Sequence, residues 1–143
     1  MNVTWGIILV SASLKVWIGQ IIIACSPSLA EKINIIEPES NVNKTYFLEM
    51  RGSALWDAFS LWILPVAGVL LILKIDLWVY FGLVGGGMYL YFVGRTISSF
   101  LVLFHNGINI GTSKKMKWNI MILVFWGVIA MVTIWLALFE FNL

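Results

Sequence analysis

The sequence predicts an all-α integral membrane protein, a four-helix bundle that forms a single transmembrane domain over residues 1–143. Composition is the first reason: the chain is 61% hydrophobic and 11% charged, whereas soluble domains average about 25% charged residues. The second reason is that four stretches each hold roughly 20 mostly apolar residues, the length that a helix needs to cross the hydrocarbon core. Helix is the expected state of all four, because lipid cannot satisfy the hydrogen bonds of an open backbone.

The four spans are predicted at about residues 3–25, 54–73, 77–104 and 118–139. The first of them is not expected to be a cleaved signal peptide, because it lacks a basic start and carries Lys15 within its apolar run. All four are therefore expected to remain in the protein as membrane helices.

The loop after the first span is the longest in the chain. Ser26 is expected to cap a short interfacial helix in which Pro27 is the first residue. Leu29, Ile33 and Ile36 would then share one apolar face of that helix. Such a helix would lie along the membrane surface rather than cross the bilayer.

The second and third spans are expected to form an antiparallel hairpin, because only the short segment Lys74–Asp76 connects them. Thr45 is expected to cap the second span, which would begin before the bilayer. Pro65 is expected to kink or loosen this span, since proline has no backbone N–H to donate.

Lysines are distributed unevenly between the two ends of the predicted bundle. The end with the amino terminus has Lys74, whereas the first and third loops hold Lys32, Lys44, Lys114, Lys115 and Lys117. The positive-inside rule then predicts a multi-pass protein of the plasma (inner) membrane, with both termini outside and both larger loops cytoplasmic.

Composition also limits cofactors and partners. A single cysteine, Cys25, excludes an internal disulfide, and a single histidine, His105, excludes a bis-histidine haem within one chain. We expect neither a metal nor a cofactor. The net charge of +2 is too small to indicate nucleic acid. The expected partners are membrane lipids and other membrane protein subunits or further copies of this chain.

Three ionisable side chains fall at about the same depth inside the predicted spans. Positions equally far from the hairpin turn lie at equal height, which places Arg95 within one helical turn of Asp57. At 1.5 Å rise per residue, both are roughly 15 Å from the loop ends of their helices. Lys15 reaches a comparable depth, whereas Glu49 and Arg51 lie roughly two turns nearer the surface.

A charge at mid-bilayer costs about 2.5–3.5 kcal/mol on insertion scales, so these side chains are expected to face inward and pair. The simplest arrangement is an Asp57–Arg95 ion pair across the hairpin, with Glu49 near Arg95 or Lys15. Two interpretations stay open. One is a sealed ion pair that fixes helix register, and the other is a polar cavity, open to the cytoplasm, that binds an anionic group or relays protons.

Small residues give the third span a distinct face, on which helix backbones can approach closely. Packing within the bundle is the expected use, and oligomerisation or a kink at Gly85–Gly87 is the alternative. The predicted packing residues are Gly82, Gly86, Gly87, Gly94 and Ser98.

The stretches EMRGSALWDAF and VGRTISS resemble motifs of a bacterial four-helix membrane family of unknown function with DoxX-like architecture. In that family Glu-x-Arg opens span two, and Gly-Arg followed by small residues lies in span three. The resemblance covers most of the chain and implies that Glu49, Arg51, Gly94 and Arg95 are family positions. Asp57 departs from the pattern, which has mostly small or apolar residues there. Because the family has no assigned reaction, the resemblance implies a fold rather than a function.

No metal cluster, nucleophile–base pair or phosphate-binding loop is recognisable in the sequence. The absence of these three kinds of site favours a non-catalytic accessory or scaffold subunit of a larger membrane assembly, without deciding whether the protein is an enzyme. One alternative is a small transporter or binding protein for an anionic or lipid-like ligand, and the other is a membrane enzyme that acts on a quinone or lipid. Both would use the layer of Lys15, Glu49, Asp57 and Arg95.

Overall fold

The computed structural model describes residues 3–141, and these form helices and loops without a strand. Four helical spans are long and apolar enough to cross a membrane. The predicted all-α integral membrane bundle with four spans is therefore confirmed. The helices are α1 (Val3–Cys25), α2 (Pro27–Lys32), α3 (Lys44–Ser60), α4 (Ile63–Ile72), α5 (Trp78–His105) and α6 (Ser113–Phe141), with a 3₁₀ turn at Glu39–Asn41.

The helix of the second span starts before its apolar run, as expected, and is broken in the middle. It begins at Lys44, close to Thr45, and its polar first turns lead into the apolar run that begins near residue 54. It is interrupted between Ser60, where α3 ends, and Ile63, where α4 begins. Pro65 explains the break, since it has no N–H for the carbonyl four residues earlier and its ring crowds that carbonyl. The predicted effect of Pro65 is confirmed.

Trp17 of α1 bonds to a carbonyl that the break releases. In a continuous helix the Ala58 carbonyl would accept the N–H of Trp62; here the Trp17 indole Nε1 donates to it at 2.7 Å. An unsatisfied backbone group in hydrocarbon costs several kcal/mol. The bond therefore stabilises the broken span and ties it to α1.

The break divides the bundle into two halves. We call the end with the Lys74–Asp76 turn the turn face, and the end with loops 26–43 and 106–112 the loop face. Towards the turn face α4 packs against both α1 and α5, and α5 packs along α6. Towards the loop face α3 packs mainly on α1. The core is closed by fully buried side chains, the largest of which include Leu9, Leu61, Leu64, Leu71 and Tyr89.

Hydrogen bonds join the two larger loops across the loop face. The Asn43 N–H donates to the Asn109 carbonyl at 2.8 Å, and the Asn109 Nδ2 donates to the Asn41 carbonyl at 2.9 Å. The Asn43 side chain also accepts from the backbone N–H groups of Thr45 and Tyr46. The cap of the second span is therefore Asn43, and the expectation that Thr45 caps it is wrong.

The short helix in the first loop is present, with Pro27 at its start, but it differs from the expected amphipathic helix. Ser26 precedes it without a side-chain capping bond, and the helix ends at Lys32. Ile36 therefore lies outside the helix and is buried, whereas Leu29 is exposed. The predicted common face is wrong for Ile36, because the chain leaves the helix after Ile33, at Asn34, which has a positive φ of 61°.

Only part of the small-residue face on α5 packs within the bundle. A Cβ at Gly86 would meet Ile134 and the Ala130 carbonyl of α6, and one at Gly82 would meet Thr133. A Cβ at Gly87 or Gly94 would meet nothing within 4 Å, and Ser98 is exposed. These three lie roughly 80–120° around the helix from Gly86, since a turn takes 3.6 residues. The prediction that Gly87, Gly94 and Ser98 pack within the bundle is therefore wrong.

We expect Gly85→Ala to lower the free energy of unfolding by about 1–3 kcal/mol, the usual cost of overpacking. The reason is that a Cβ at Gly85 would lie 2.8 Å from the Leu64 backbone nitrogen and 2.9 Å from its Cα. Gly94→Ala, on the same helix in open space, is the matched control. Unfolding in mild detergent, followed by circular dichroism, measures both, and equal stabilities would contradict the close α4–α5 contact.

We expect Trp17→Phe to lower the free energy of unfolding by about 1–3 kcal/mol, because it leaves the Ala58 carbonyl without its donor. The control is Trp135→Phe, since Trp135 is 64% exposed and its indole N–H makes no hydrogen bond with residues 3–141. A Trp17→Phe variant as stable as the control would show that the break needs no donor from α1.

Candidate functional site

A cavity of about 980 Å³ opens in the loop-face half of the bundle, between α1, α3, α5 and α6. Its rim includes residues of both larger loops, such as Glu37 and Thr112. The cavity exists because α3 lies against α1 after the break and leaves a gap towards α5 and α6. Its volume is at the upper end of the range of about 300–1,000 Å³ found for small-molecule sites.

The inner end of the cavity holds the predicted ion pair. Arg95 Nη2 lies 2.7 Å from Asp57 Oδ2, and the side chains are 25% and 4% exposed, respectively. The ion pair expected from the hairpin geometry is therefore present. Because both residues line the cavity and Arg95 keeps a quarter of its side-chain surface, the pair is not sealed inside the bundle.

Arg95 retains donors beyond those that Asp57 uses. A guanidinium has five N–H donors, and the hydrogen bond to Asp57 is the single one that the Arg95 side chain makes with the described part of the chain. Its Cζ also lies 5.9 Å from the centre of the Tyr91 ring, a cation–π distance. The contact with Tyr91 holds the guanidinium at the wall of the cavity with free donors.

Lys15 and Glu49 also line the cavity, but they do not complete the ion pair. Lys15 is exposed and makes no ion pair with any residue in 3–141. Glu49 accepts a hydrogen bond from Ser53 at 3.0 Å, because positions four apart lie on the same side of a helix. The expected contact of Glu49 with Arg95 or Lys15 is therefore wrong.

Arg51 is the one predicted site residue that does not line the cavity. It lies two positions from Glu49, and such neighbours point to different sides of a helix. Its Nε is buried and has no hydrogen-bond partner among the described residues. The structure thus brings Lys15, Glu49, Asp57 and Arg95 to the cavity and leaves Arg51 outside it.

Sequence reasoning missed the lysines at the mouth, which it used only to orient the chain. Lys114, Lys115 and Lys117 all line the cavity. Lys115 donates to Asn34 at 2.8 Å and lies 3.8 Å from Glu37. Their clustering in the segment SKKMK could have indicated a basic site at this end of the bundle. With them, five basic and three acidic side chains line the cavity, which gives it an excess of positive charge.

Large apolar side chains separate the charged groups. They come from all four helices, and they include Ile23, Met50, Phe92, Phe100, Leu123 and Trp126. Within residues 3–141 no group of three His, Cys, Asp or Glu side chains could hold a metal ion. The cavity thus combines fixed cationic donors with an apolar wall, which suits a ligand that is charged at one end and apolar at the other.

Comparisons with protein-family models, curated proteins and solved structures found no match to this chain. The similarity of its two short motifs to the DoxX-like family therefore stays a prediction. Any function has to be argued from the geometry of the cavity.

We expect Arg95→Ala to lower the free energy of unfolding by about 3–5 kcal/mol, because it leaves Asp57 charged, buried and unpaired. Asp57→Ala should cost less, since Arg95 is partly open to the cavity and can be hydrated there. The double variant Asp57→Ala/Arg95→Ala should be more stable than Arg95→Ala alone. Unfolding of the three variants in detergent measures this order, and a double variant less stable than both single variants would contradict it.

Proposed function

We propose that the protein binds an anionic amphiphile in the loop-face cavity, as a binding protein or small transporter. One observation carries this proposal: a cavity of about 980 Å³ that reaches an accessible arginine, Arg95, in the interior of the bundle. Ionisable residues inside membrane spans are functional-site hypotheses by default, because they are expensive to insert.

The charge of the lining supports an anionic ligand. Lys15 and Arg95 lie along the inner wall with donors to spare, and Lys114 and Lys117 stand at the rim. In a space with little water, hydrogen bonds between a cation and an anion are shorter and about twice as strong as neutral ones. A carboxylate or phosphate is therefore the group that this lining would bind best.

The apolar part of the lining supports an amphiphile rather than a free inorganic anion. Aromatic and aliphatic side chains such as Phe92, Phe100 and Trp126 form the walls between the charged groups. Burial of apolar surface contributes about 25 cal/mol per Å², and a small hydrated anion would gain none of it. A hydrocarbon chain attached to the anion would.

The proposed placement is the plasma (inner) membrane with the loop face in the cytoplasm and both termini outside. Five lysines at the loop face against Lys74 at the turn face support this orientation. The cavity mouth would then take its ligand from the cytoplasmic side or from the cytoplasmic leaflet.

The accessory-subunit role expected from the sequence stays a prediction. Exposed side chains on the outer helix faces, such as Phe59 and Trp135, would be covered equally well by lipid or by another subunit. They therefore do not favour either role, whereas the cavity favours ligand binding. A reaction on a quinone or lipid has no observation of its own in its favour.

We expect stearic acid, spin-labelled near its carboxyl group, to associate with the protein in phosphatidylcholine vesicles more strongly than its uncharged methyl ester does. Gly19→Leu should weaken this association about tenfold, since overpacking costs about 1–3 kcal/mol and 1.4 kcal/mol is tenfold. Gly19 lines the cavity and a Cβ there meets nothing within 4 Å, so the added side chain occupies ligand space. The motionally restricted fraction of the electron paramagnetic resonance spectrum measures the association.

The matched control is Gly52→Leu, which adds the same side chain in open space on α3, away from the cavity. Equal association of acid and ester, or equal loss in both variants, would overturn the proposed function.

A further inference from the structure

A second, smaller cavity of about 410 Å³ lies beside the first, on the outer surface of the bundle. We call it the lateral groove; Trp56, Ser60, Val84, Gly87 and Tyr91 line it. Trp56 and Tyr91 are 57% and 63% exposed, so the groove opens to the side of the bundle, where the acyl chains of the bilayer lie. It is a sideways opening at membrane depth rather than a mouth at the loop face.

The Asp57–Arg95 pair separates the lateral groove from the loop-face cavity. Asp57 lines both spaces. Arg95 lines the cavity, and its guanidinium lies over the ring of Tyr91, which lines the groove. Because α3 packs on α1 rather than along α5, the two spaces are divided at this level by side chains and not by a tight helix contact.

The groove is long enough to hold most of one hydrocarbon chain at the depth of a leaflet. Along α5 it runs from Leu83 to Tyr91, eight residues or about 12 Å at the helical rise. Half of a hydrocarbon core of about 30 Å is about 15 Å, which is the depth that one acyl chain fills in a leaflet. Gly87 keeps the middle of the groove open, since a Cβ there would meet nothing within 4 Å.

We infer that the lateral groove holds the hydrocarbon chain of a single-chain anionic amphiphile whose charged group lies in the cavity beside Arg95. This inference rests on the proposed function and specifies its ligand. Charge complementarity places the anion at Arg95 and Lys15, and the groove that starts at the same ion pair gives the chain an apolar path into the bilayer. A single groove beside the pair takes one chain, which favours a fatty acid or a lysolipid over a two-chain phospholipid.

The position of the Asp57–Arg95 pair between the cavity and the groove gives the pair a role in ligand binding. With no ligand, Asp57 neutralises Arg95 and closes the side of the cavity. An incoming carboxylate or phosphate takes the donors that Asp57 leaves unused. The chain then leaves between α3 and α5 past Tyr91, so that no part of the hydrocarbon is exposed to water.

The test uses the full chain in phosphatidylcholine vesicles and stearic acid that is spin-labelled near its methyl end. Gly87→Leu should fill the groove and weaken the association about tenfold, for the overpacking reason given above. Gly94→Leu adds the same side chain to the same helix in open space outside both cavities, and should leave the association unchanged. Gly87→Ala, a smaller change, should give an intermediate loss and serves if the leucine variant folds poorly.

The outcomes separate the two proposals. If Gly19→Leu weakens the association but both Gly87 variants match Gly94→Leu, the groove is not the chain site and the inference is overturned, while the proposed function stands. If neither Gly19→Leu nor Gly87→Leu weakens it, both fail. Loss in Gly19→Leu and in Gly87→Leu, with none in Gly94→Leu, supports both.

Discussion

Pro65 cannot donate a backbone hydrogen bond, and the arrangement of the loop-face half of the bundle depends on that constraint. The second span breaks between Ser60 and Ile63, so its two halves need not share an axis. The α4 half stays in contact with α1 and α5, while the α3 half packs mainly on α1. Both the loop-face cavity and the lateral groove lie along the gap that this separation leaves.

The Asp57–Arg95 pair stands in that gap, and its energetics fit a binding site better than a structural clamp. A buried ion pair gains little net stability over well-packed apolar residues, because desolvation of two charges offsets their attraction. Tight, register-fixing contacts are already supplied elsewhere, by Gly85 against Leu64 and by Gly86 against α6. An ion pair that keeps one partner accessible to a cavity has instead the property that ligand exchange needs.

The sequence was sufficient for the number of spans and for the depth of the charged residues within them. Apolar runs located the spans, and equal distance from a short turn placed Asp57 opposite Arg95. It was insufficient for features that depend on the rotation and tilt of one helix relative to another. Gly87 and Gly94 share a near-helical spacing with Gly86, yet they point to open space, and Glu49 turns to Ser53 instead of Arg95. The cavity could be stated only as one of two alternatives, since Pro65 indicates that a helix bends but not in which direction it bends.

The hydrogen bonds between the loops have a mechanical consequence. The hydrogen bonds of Asn109 to Asn41, through its side chain, and to Asn43, through its carbonyl, join the α1–α3 wall to the α5–α6 wall at the surface, and the Asp57–Arg95 pair joins them again at mid-depth. The two walls are thus held together at two levels, at the surface and at mid-depth. A bulky ligand could therefore widen the cavity only by bending the helices outward between these two levels. The stiffness of the helices, rather than the width of the cavity mouth, would then limit the size of the ligand.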